Sequence, residues 1–424
     1  MFSLLGAQSS SALTLEEAIE LAFESDANTK AEIYAAKAQH ADGLGALTGY
    51  GPQLSVSGSY MSSSDELYPD NEEETEARKT DFNETELTVS FRQPLVDLEK
   101  ASIAAKGVSE MDVAKLLEKR AQEDLLLLVH ERFYNALSAK EKLRISQSES
   151  DALRQQVEHA KDRITLGFGT ITDQYDAQAR YRVSQATEIS NKTSYDNAIK
   201  ALEETVGQPV QLLDEVDQDS PLSSLEGDLE TWLLSATENN TDLSIKRFQY
   251  EAAKADYRAK QSRFLPTMSA FADYTERDSD DGLFGYGEER TEFDVGVRLD
   301  LNLLAGGTDA AATVAASKRK LEARERVNAA MRTMERSVSS LWGSLNNTVL
   351  LMDAYQLAVE ANENSLIATK SSYTEGVKTL LDVLNAQQDY YRALGQYKTT
   401  KYEYLILLQR FKQVVGSEKT FMQI

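Results

Sequence analysis

Two stretches of this chain are one stretch written twice. Adding 209 to a residue number carries Gly167 to Gly376, Asp173 to Asp382, Ala177 to Ala386, Gln178 to Gln387, Tyr181 to Tyr390, Tyr195 to Tyr404 and Gly207 to Gly416. Seven identities at one offset mark an internal duplication, so the chain must fold as two similar halves rather than as a string of unrelated domains. In the second copy Leu380, Val383, Gln387, Tyr390, Leu394, Tyr397, Lys401, Tyr404, Leu408, Phe411 and Val415 alternate spacings of three and four, the seam of a coiled-coil helix. Glu375-Gly376-Val377 stands just before it, a turn signal between two long helical patterns. Each half therefore carries a helical hairpin with glycine and aspartate at its tip.

The rest of each half follows one plan. The first repeat, 13–207, opens with a helix predicted over Leu13–Ala46, with Thr14 as N-cap and Glu16 and Glu17 in the first turn. Gly49-Tyr50-Gly51-Pro52 stops it. The period then changes to two in Leu54–Tyr60 and again in Leu87–Phe91, which predicts a β-hairpin over 53–92 around an acidic loop, 65–81. A proline-free run from Leu98 to Leu166 predicts a helix about 100 Å long at ~1.5 Å per residue. A tip at 166–170 and a return helix from Thr172 to Val206 complete the repeat. An irregular link, 208–227, leads to the second repeat, 228–416. This has a helix over Asp228–Arg263, a hairpin over 267–301 around the acidic loop 277–290, a long helix from Thr308 to Thr374, a tip at 375–378 and its return helix. Residues 1–12 read as the remnant of a secretory signal or leader, and 417–424 as a tail.

Composition excludes several classes of function. A net charge of −24 argues against nucleic-acid binding, which needs a basic face. It fits a cation-preferring surface or pore, a salty habitat, or plain solubility. With no cysteine there is no disulfide, thiolate metal site, cysteine nucleophile or lipidated N-terminal cysteine. The three histidines, His40, His130 and His159, are far apart in sequence, so no histidine metal centre is expected. No nucleophile–base pair, phosphate loop or metal-ligand cluster is visible, so neither an enzyme nor a cofactor is expected. No apolar run reaches the roughly 18 residues of a membrane helix.

The strands constrain what remains. One face of Phe293–Leu301 is apolar (Phe293, Val295, Val297, Leu299) and the other polar (Asp294, Arg298, Asp300). In a soluble sandwich two such apolar faces pack together; in an outer-membrane barrel they meet lipid. Four strands are too few to close a barrel, for which about eight is the small end, so the sheet must be completed by other copies of the chain.

In this arrangement the chain resembles the TolC-like outer-membrane efflux duct family over nearly its whole length. The resemblance rests on the duplicated G-x5-D-x3-A-Q segments (Gly167, Asp173, Ala177, Gln178 and Gly376, Asp382, Ala386, Gln387) and on the helix-Pro-strand junctions at Pro52 and Pro266. It implies a mainly helical fold with membrane β structure. Three subunits would form a homotrimer whose four strands each make one twelve-stranded outer-membrane β-barrel, continuous with an α-helical barrel crossing the periplasm of a Gram-negative bacterium. It implies an exit duct for small molecules or proteins, as in tripartite efflux and type I secretion. The partners would be a periplasmic adaptor and an inner-membrane transporter of RND, ABC or MFS type.

The resemblance also assigns residues. Thr172 and Asp173 would face Tyr373 and Lys378 across neighbouring hairpins as a polar gate, although Tyr373 on its seam can simply pack and Lys378 can be solvated. Asp382 would form a carboxylate ring at the constriction, the competing reading being a helix cap. Asn385 stands where the family often has a second acid, which weakens any multivalent-cation block. Leu166, Gly167, Phe168, Glu375, Gly376 and Val377 look like adaptor-docking positions, though a turn needs the same glycines. The contrasting class is a soluble or peripheral coiled-coil scaffold without transport. It predicts continuous heptads with no strands, and the alternating strands count against it.

Overall fold

The computed structural model describes residues 12–67, 78–215, 225, 227–280, 287–303 and 305–416. The leader, the C-terminal tail, the centres of both acidic loops and much of the link lie outside these residues. The first half runs α1 Leu15–Ser25, α2 Ala27–Thr48, β1 Gln53–Leu67, β2 Arg78–Val96, α3 Leu98–Thr165 and α4 Ile171–Val206. The second half repeats that order as α5 Leu229–Asn239, α6 Thr241–Ser262, β3 Thr267–Ser279, β4 Glu288–Asp300, α7 Thr308–Thr374 and α8 Leu380–Val415. The chain divides into two compact units. One takes Met1–Ala35, Leu116–Ser244 and Ala329–Ile424; the other takes Ala36–Lys115 and Ile245–Asn328.

Two expectations need correction. The helices predicted over Leu13–Ala46 and Asp228–Arg263 are each broken in two, at Asp26 and Asn240. Both residues leave helical geometry, Asp26 at ψ 111 and Asn240 at ψ 121. Each still donates its N–H back to the helix it ends, Asp26 to Ala22 O at 2.8 Å and Asn240 to Ala236 O at 2.9 Å. Each side-chain oxygen then accepts from the helix it begins, from Thr29 N at 2.6 Å and from Leu243 N at 2.8 Å. A short acceptor side chain is what an N-terminus needs for its unpaired N–H groups. The expected Thr14 cap is present as a full capping box with Glu17.

Within the first unit these breaks are docked on the ends of the return helices. Ser25 Oγ donates to Thr205 O at 3.0 Å, and Asn240 Nδ2 donates to Val414 O at 2.7 Å. Both return helices end in a left-handed glycine, Gly207 and Gly416, each with φ 73. Around the first junction Ala18, Ala22, Leu125, Val129, Phe133, Leu137, Leu202 and Val206 form a buried cluster. Leu13 pins the link to it, accepting from Asp214 N and donating to Leu212 O, each at 2.9 Å. At the second junction the rings of Trp232 and Phe411 meet edge to face, 5.2 Å apart.

The second unit holds one antiparallel sheet in the order β1-β2-β3-β4. Its hairpins extend further than the apolar alternation predicted, because polar pairs such as Glu66–Lys79 and Asp278–Glu289 continue the ladders. The register aligns Leu54, Phe91, Ala272 and Val295 in one row, and Val56, Val89, Tyr274 and Phe293 in the next. All of these side chains share a face, and Val295 remains 73% exposed on it. From Leu299 to Phe293 this apolar band measures about 20 Å along the strand at ~3.4 Å per residue. Glu276 and Thr291 end it in the row next to Phe293.

The opposite face is polar. Arg277 bonds Glu86, Arg92 lies 4.0 Å from Asp273, and the Arg298 guanidinium covers the Phe271 ring at 5.0 Å. That ring lies across Gly296, where a Cβ would approach Phe271 to 3.0 Å, so the ring fills the space a side chain would take. The register shifts between Pro94 and Val96 of β2, where proline has no N–H to give the ladder.

The same unit anchors the sheet to its helices through side chains at the strand–helix junctions. Arg263 bonds Glu99 at 2.7 Å and Asp309 at 3.3 Å. α2 and α3 cross at Gly43 and Gly107, where a Cβ on Gly107 would lie 2.5 Å from Gly43 O. Among the described residues no helix is long and apolar enough to cross a membrane.

Candidate functional site

The two hairpin tips are built alike, bond by bond. In the first, Gly167 N donates to Ile164 O at 3.0 Å and Phe168 N to Arg163 O at 2.8 Å. In the second, Gly376 N donates to Tyr373 O at 3.1 Å and Val377 N to Ser372 O at 2.9 Å. Every donor and acceptor is displaced by the same 209 residues. The turn requires the left-handed φ of 82 at Gly167 and 79 at Gly376, so both glycines serve the turn itself. Nothing lies within 4 Å of a Cβ at either, which leaves their outer side open. Beside them Leu166, Phe168 and Val377 project into solvent, Phe168 at 76% and Val377 at 77% exposed, and Glu375 is exposed as well.

The return helices start identically. Thr170 caps α4 and Thr379 caps α8, each accepting from the N–H of an aspartate three residues on, Asp173 at 3.1 Å and Asp382 at 3.2 Å. The aspartates reciprocate: Asp173 accepts from Thr170 N at 3.2 Å, Asp382 from Thr379 N at 2.9 Å. Both are therefore capping-box residues as well as acids near the tip. The backbone N–H and hydroxyl of Thr379 hold the Asp382 carboxyl below the usual carboxylate range, and the charge of Lys378 adds to this. Lys378 itself is exposed and Thr172 is exposed in the first turn of α4.

Tyr373, at the end of α7, is half-buried against Leu153, Val157, Ala160, Ala177, Leu380 and Leu384. Burial raises its phenol pKa, the nearby Arg163 lowers it, and the Asp173 carboxylate raises it. One chain thus brings Tyr373 and Asp173 within electrostatic reach, whereas Lys378 acts on Asp382. The Arg163 guanidinium lies over the Tyr373 ring, 4.8 Å from its centre. Such a contact is worth about 0.5–1 kcal/mol in the open and about 2 when desolvated.

Arg163 and Arg180 were not among the residues singled out in the sequence. At the equivalent positions stand Ser372 and Asp389, so the duplication gave no signal for either. Arg180 on α4 donates to Asn385 Oδ1 at 2.7 Å and to Gln388 Oε1 at 2.8 Å, both on α8. Asn385, expected only as a missing carboxylate, is thus an acceptor in a link between helices. Arg180 and Gln388 border a cavity of about 400 Å³ also lined by Glu149, Tyr391 and Arg392. Burial raises the Glu149 pKa against the pull of Arg180 and Arg392. Gln387 also lines it, 1% exposed within its own chain, and among the described residues its amide nitrogen and oxygen have no hydrogen-bond partner.

This fold and these paired tips agree with what the chain is similar to. Residues 27–208 and 232–417 match the family described as outer membrane efflux protein, one match on each half. The alkaline protease secretion protein AprF of Pseudomonas aeruginosa is 28% identical over 342 residues, covering 79% of this chain and 70% of AprF. The outer membrane protein TolC of Vibrio cholerae is 28% identical over 308 residues, 72% of this chain and 70% of that protein. The crystal structure of the outer membrane protein VceC from Vibrio cholerae shares the fold with a TM-score of 0.80 at 17% identity, covering 95% of this chain and 96% of VceC.

The chain belongs to the outer membrane efflux protein family. It is a Gram-negative outer-membrane channel of the kind used in efflux and secretion, a conduit and not an enzyme. Channels of this family work within efflux and secretion systems.

Proposed function

We propose that three copies of this chain close one twelve-stranded barrel in the outer membrane, continuous with a helical duct in the periplasm. The observation that carries this reading is the four-stranded sheet, whose apolar face is exposed and whose end strands, β1 and β4, each have an outer edge that no strand pairs with among the described residues. An open sheet of this kind needs its edges paired and its apolar face covered, and closure with other copies inside lipid does both. A coiled-coil scaffold has no use for such a face.

The periplasmic entrance is then at the hairpin tips. Asp173 and Tyr373, with Thr172 and with Lys378 of a neighbouring hairpin, hold it closed. Asp382 supplies the carboxylate ring at the constriction, its pKa lowered by the bonds from Thr379, and Asn385 leaves a second ring absent. The exposed Leu166, Gly167, Phe168, Glu375, Gly376 and Val377 receive a periplasmic adaptor, which brings an inner-membrane transporter of RND, ABC or MFS type. Photo-crosslinking residues placed at Phe168 and Val377 in living cells test this. The expected product is an adduct with a periplasmic adaptor that carries the transporter through co-purification. Adducts from the sheet-side loops but none from the tips would count against the docking assignment.

A further inference from the structure

The backbone bonds of the two tips correspond pair by pair, so a side chain that breaks the correspondence stands out. Where the second tip has Ser372, the first has Arg163; where the first has Ile164, the second has Tyr373. Two of these differing side chains, Arg163 and Tyr373, meet. The Arg163 guanidinium covers the Tyr373 ring at 4.8 Å, joining the end of α3 to the end of α7. Its Nη2 also donates to Phe168 O at 3.4 Å, inside the exposed loop of its own tip. Its carbonyl accepts from Phe168 N at 2.8 Å and from Gly169 N at 3.0 Å. The loop folds tightly on it, since a Cβ on Gly169 would lie 3.1 Å from Arg163 Cβ.

We infer that Arg163 is the positioning residue that couples the docking loop of the first tip to the gate tyrosine of the second. This rests on the tips being the docking site and the gate. A partner that displaces Phe168 shifts the carbonyl that steadies the guanidinium and the backbone that carries it, and so draws Arg163 off the ring. Ser372 is too short to do the same from the other tip, so the coupling has one direction, from the α3–α4 loop to α7. The contact needs the ring of Tyr373 and not its hydroxyl, which separates it from a hydroxyl-to-carboxylate lock.

Single-channel recording of the full-length protein in planar bilayers tests this, together with a spin-label pair at Leu166 and Val377. Arg163→Ala is expected to raise the open fraction about two- to fivefold, the Boltzmann equivalent of one exposed cation–π contact. Arg163→Lys is expected to raise it less, because an ammonium can still sit over the ring but lacks the planar face and the fork that reaches Phe168 O. Tyr373→Leu opens the pore more than Tyr373→Phe, and in the Arg163→Ala background the two open it equally, because only the ring contact distinguishes them. In both Arg163 variants the label distance lengthens and broadens. If Asp173→Ala with Tyr373→Phe opens the pore but the Arg163 variants match wild type in conductance and label distance, the gate stands and the coupling is overturned. Should that double variant stay closed, the gate reading fails, and the label distance alone decides for or against the clamp.

Discussion

Asp173→Ala combined with Tyr373→Phe is expected to raise resting single-channel conductance in planar bilayers severalfold. The two groups lie within electrostatic reach in one chain, and burial together with the Asp173 carboxylate keeps the Tyr373 phenol protonated and able to donate. A short polar lock in partly wet surroundings is weak for each pair, so a few such contacts can hold a pore shut and still release it. The double variant removes acceptor and donor together. Its effect on the helix is small by comparison. Thr170 still accepts from the backbone N–H of residue 173, and only the carboxylate half of the capping box is lost, about 0.3–1 kcal/mol for an acid in a first turn. Asp382→Ala is the matched control. It breaks the equivalent box at Thr379, but its expected result is reduced cation selectivity with little change in opening, because it removes a constriction charge and no gate partner. A double variant that behaves as Asp382→Ala does would show that Asp173 is a cap and nothing more.

Gly416→Ala is expected to destabilise the fold by about 3–5 kcal/mol, read by denaturant unfolding of the detergent-solubilised protein. Two penalties coincide there. The residue has φ 73, a conformation that costs an L-residue about 1–2 kcal/mol. In addition its Cβ would lie 2.2 Å from Asn239 O, a backbone atom that cannot swing aside. Relief requires moving the α5–α6 break away from α8 and giving up the bond from Asn240 Nδ2 to Val414 O. The two related glycines grade the effect. Gly207 has the same φ, and a Cβ there meets Ser25 Cβ at 2.5 Å rather than a backbone oxygen at 2.2 Å, so Gly207→Ala should cost somewhat less. Gly376 has φ 79 and nothing within 4 Å, so Gly376→Ala should cost only the backbone term. Equal losses at all three positions would mean that packing at the Asn239–Asn240 break contributes nothing.

The repeat, the hairpins, the strand pairs and both tips were legible because each rests on a periodic or duplicated signal. Leu380–Val415 shows its seam, and Phe293, Val295 and Val297 show their face. The breaks at Asp26 and Asn240 were not legible, because apolar periodicity runs through them and the deciding bonds come from single side chains. The strand ends were placed short for a related reason: polar ladder pairs carry no alternation of apolarity to read. At the tips the sequence marked Asp173 and Asp382 by their spacing from glycine, and the structure adds that the residue three before each is a capping threonine. Arg163 and Arg180 escaped notice because neither has a counterpart in the other repeat, and their targets, Tyr373 and Asn385, are about 200 residues away. Contacts between repeats leave no trace in the pattern within one.

Native mass spectrometry of the protein extracted from outer membranes in detergent tests the central claim most directly. The proposed twelve-stranded barrel predicts a complex of three chains, and the exposed apolar face of the sheet predicts that it needs detergent to stay in solution and collapses when a charge such as Val295→Asp is placed on that face. A monomer that stays soluble without detergent, with Val295→Asp leaving it unchanged, would contradict the barrel and the duct built upon it.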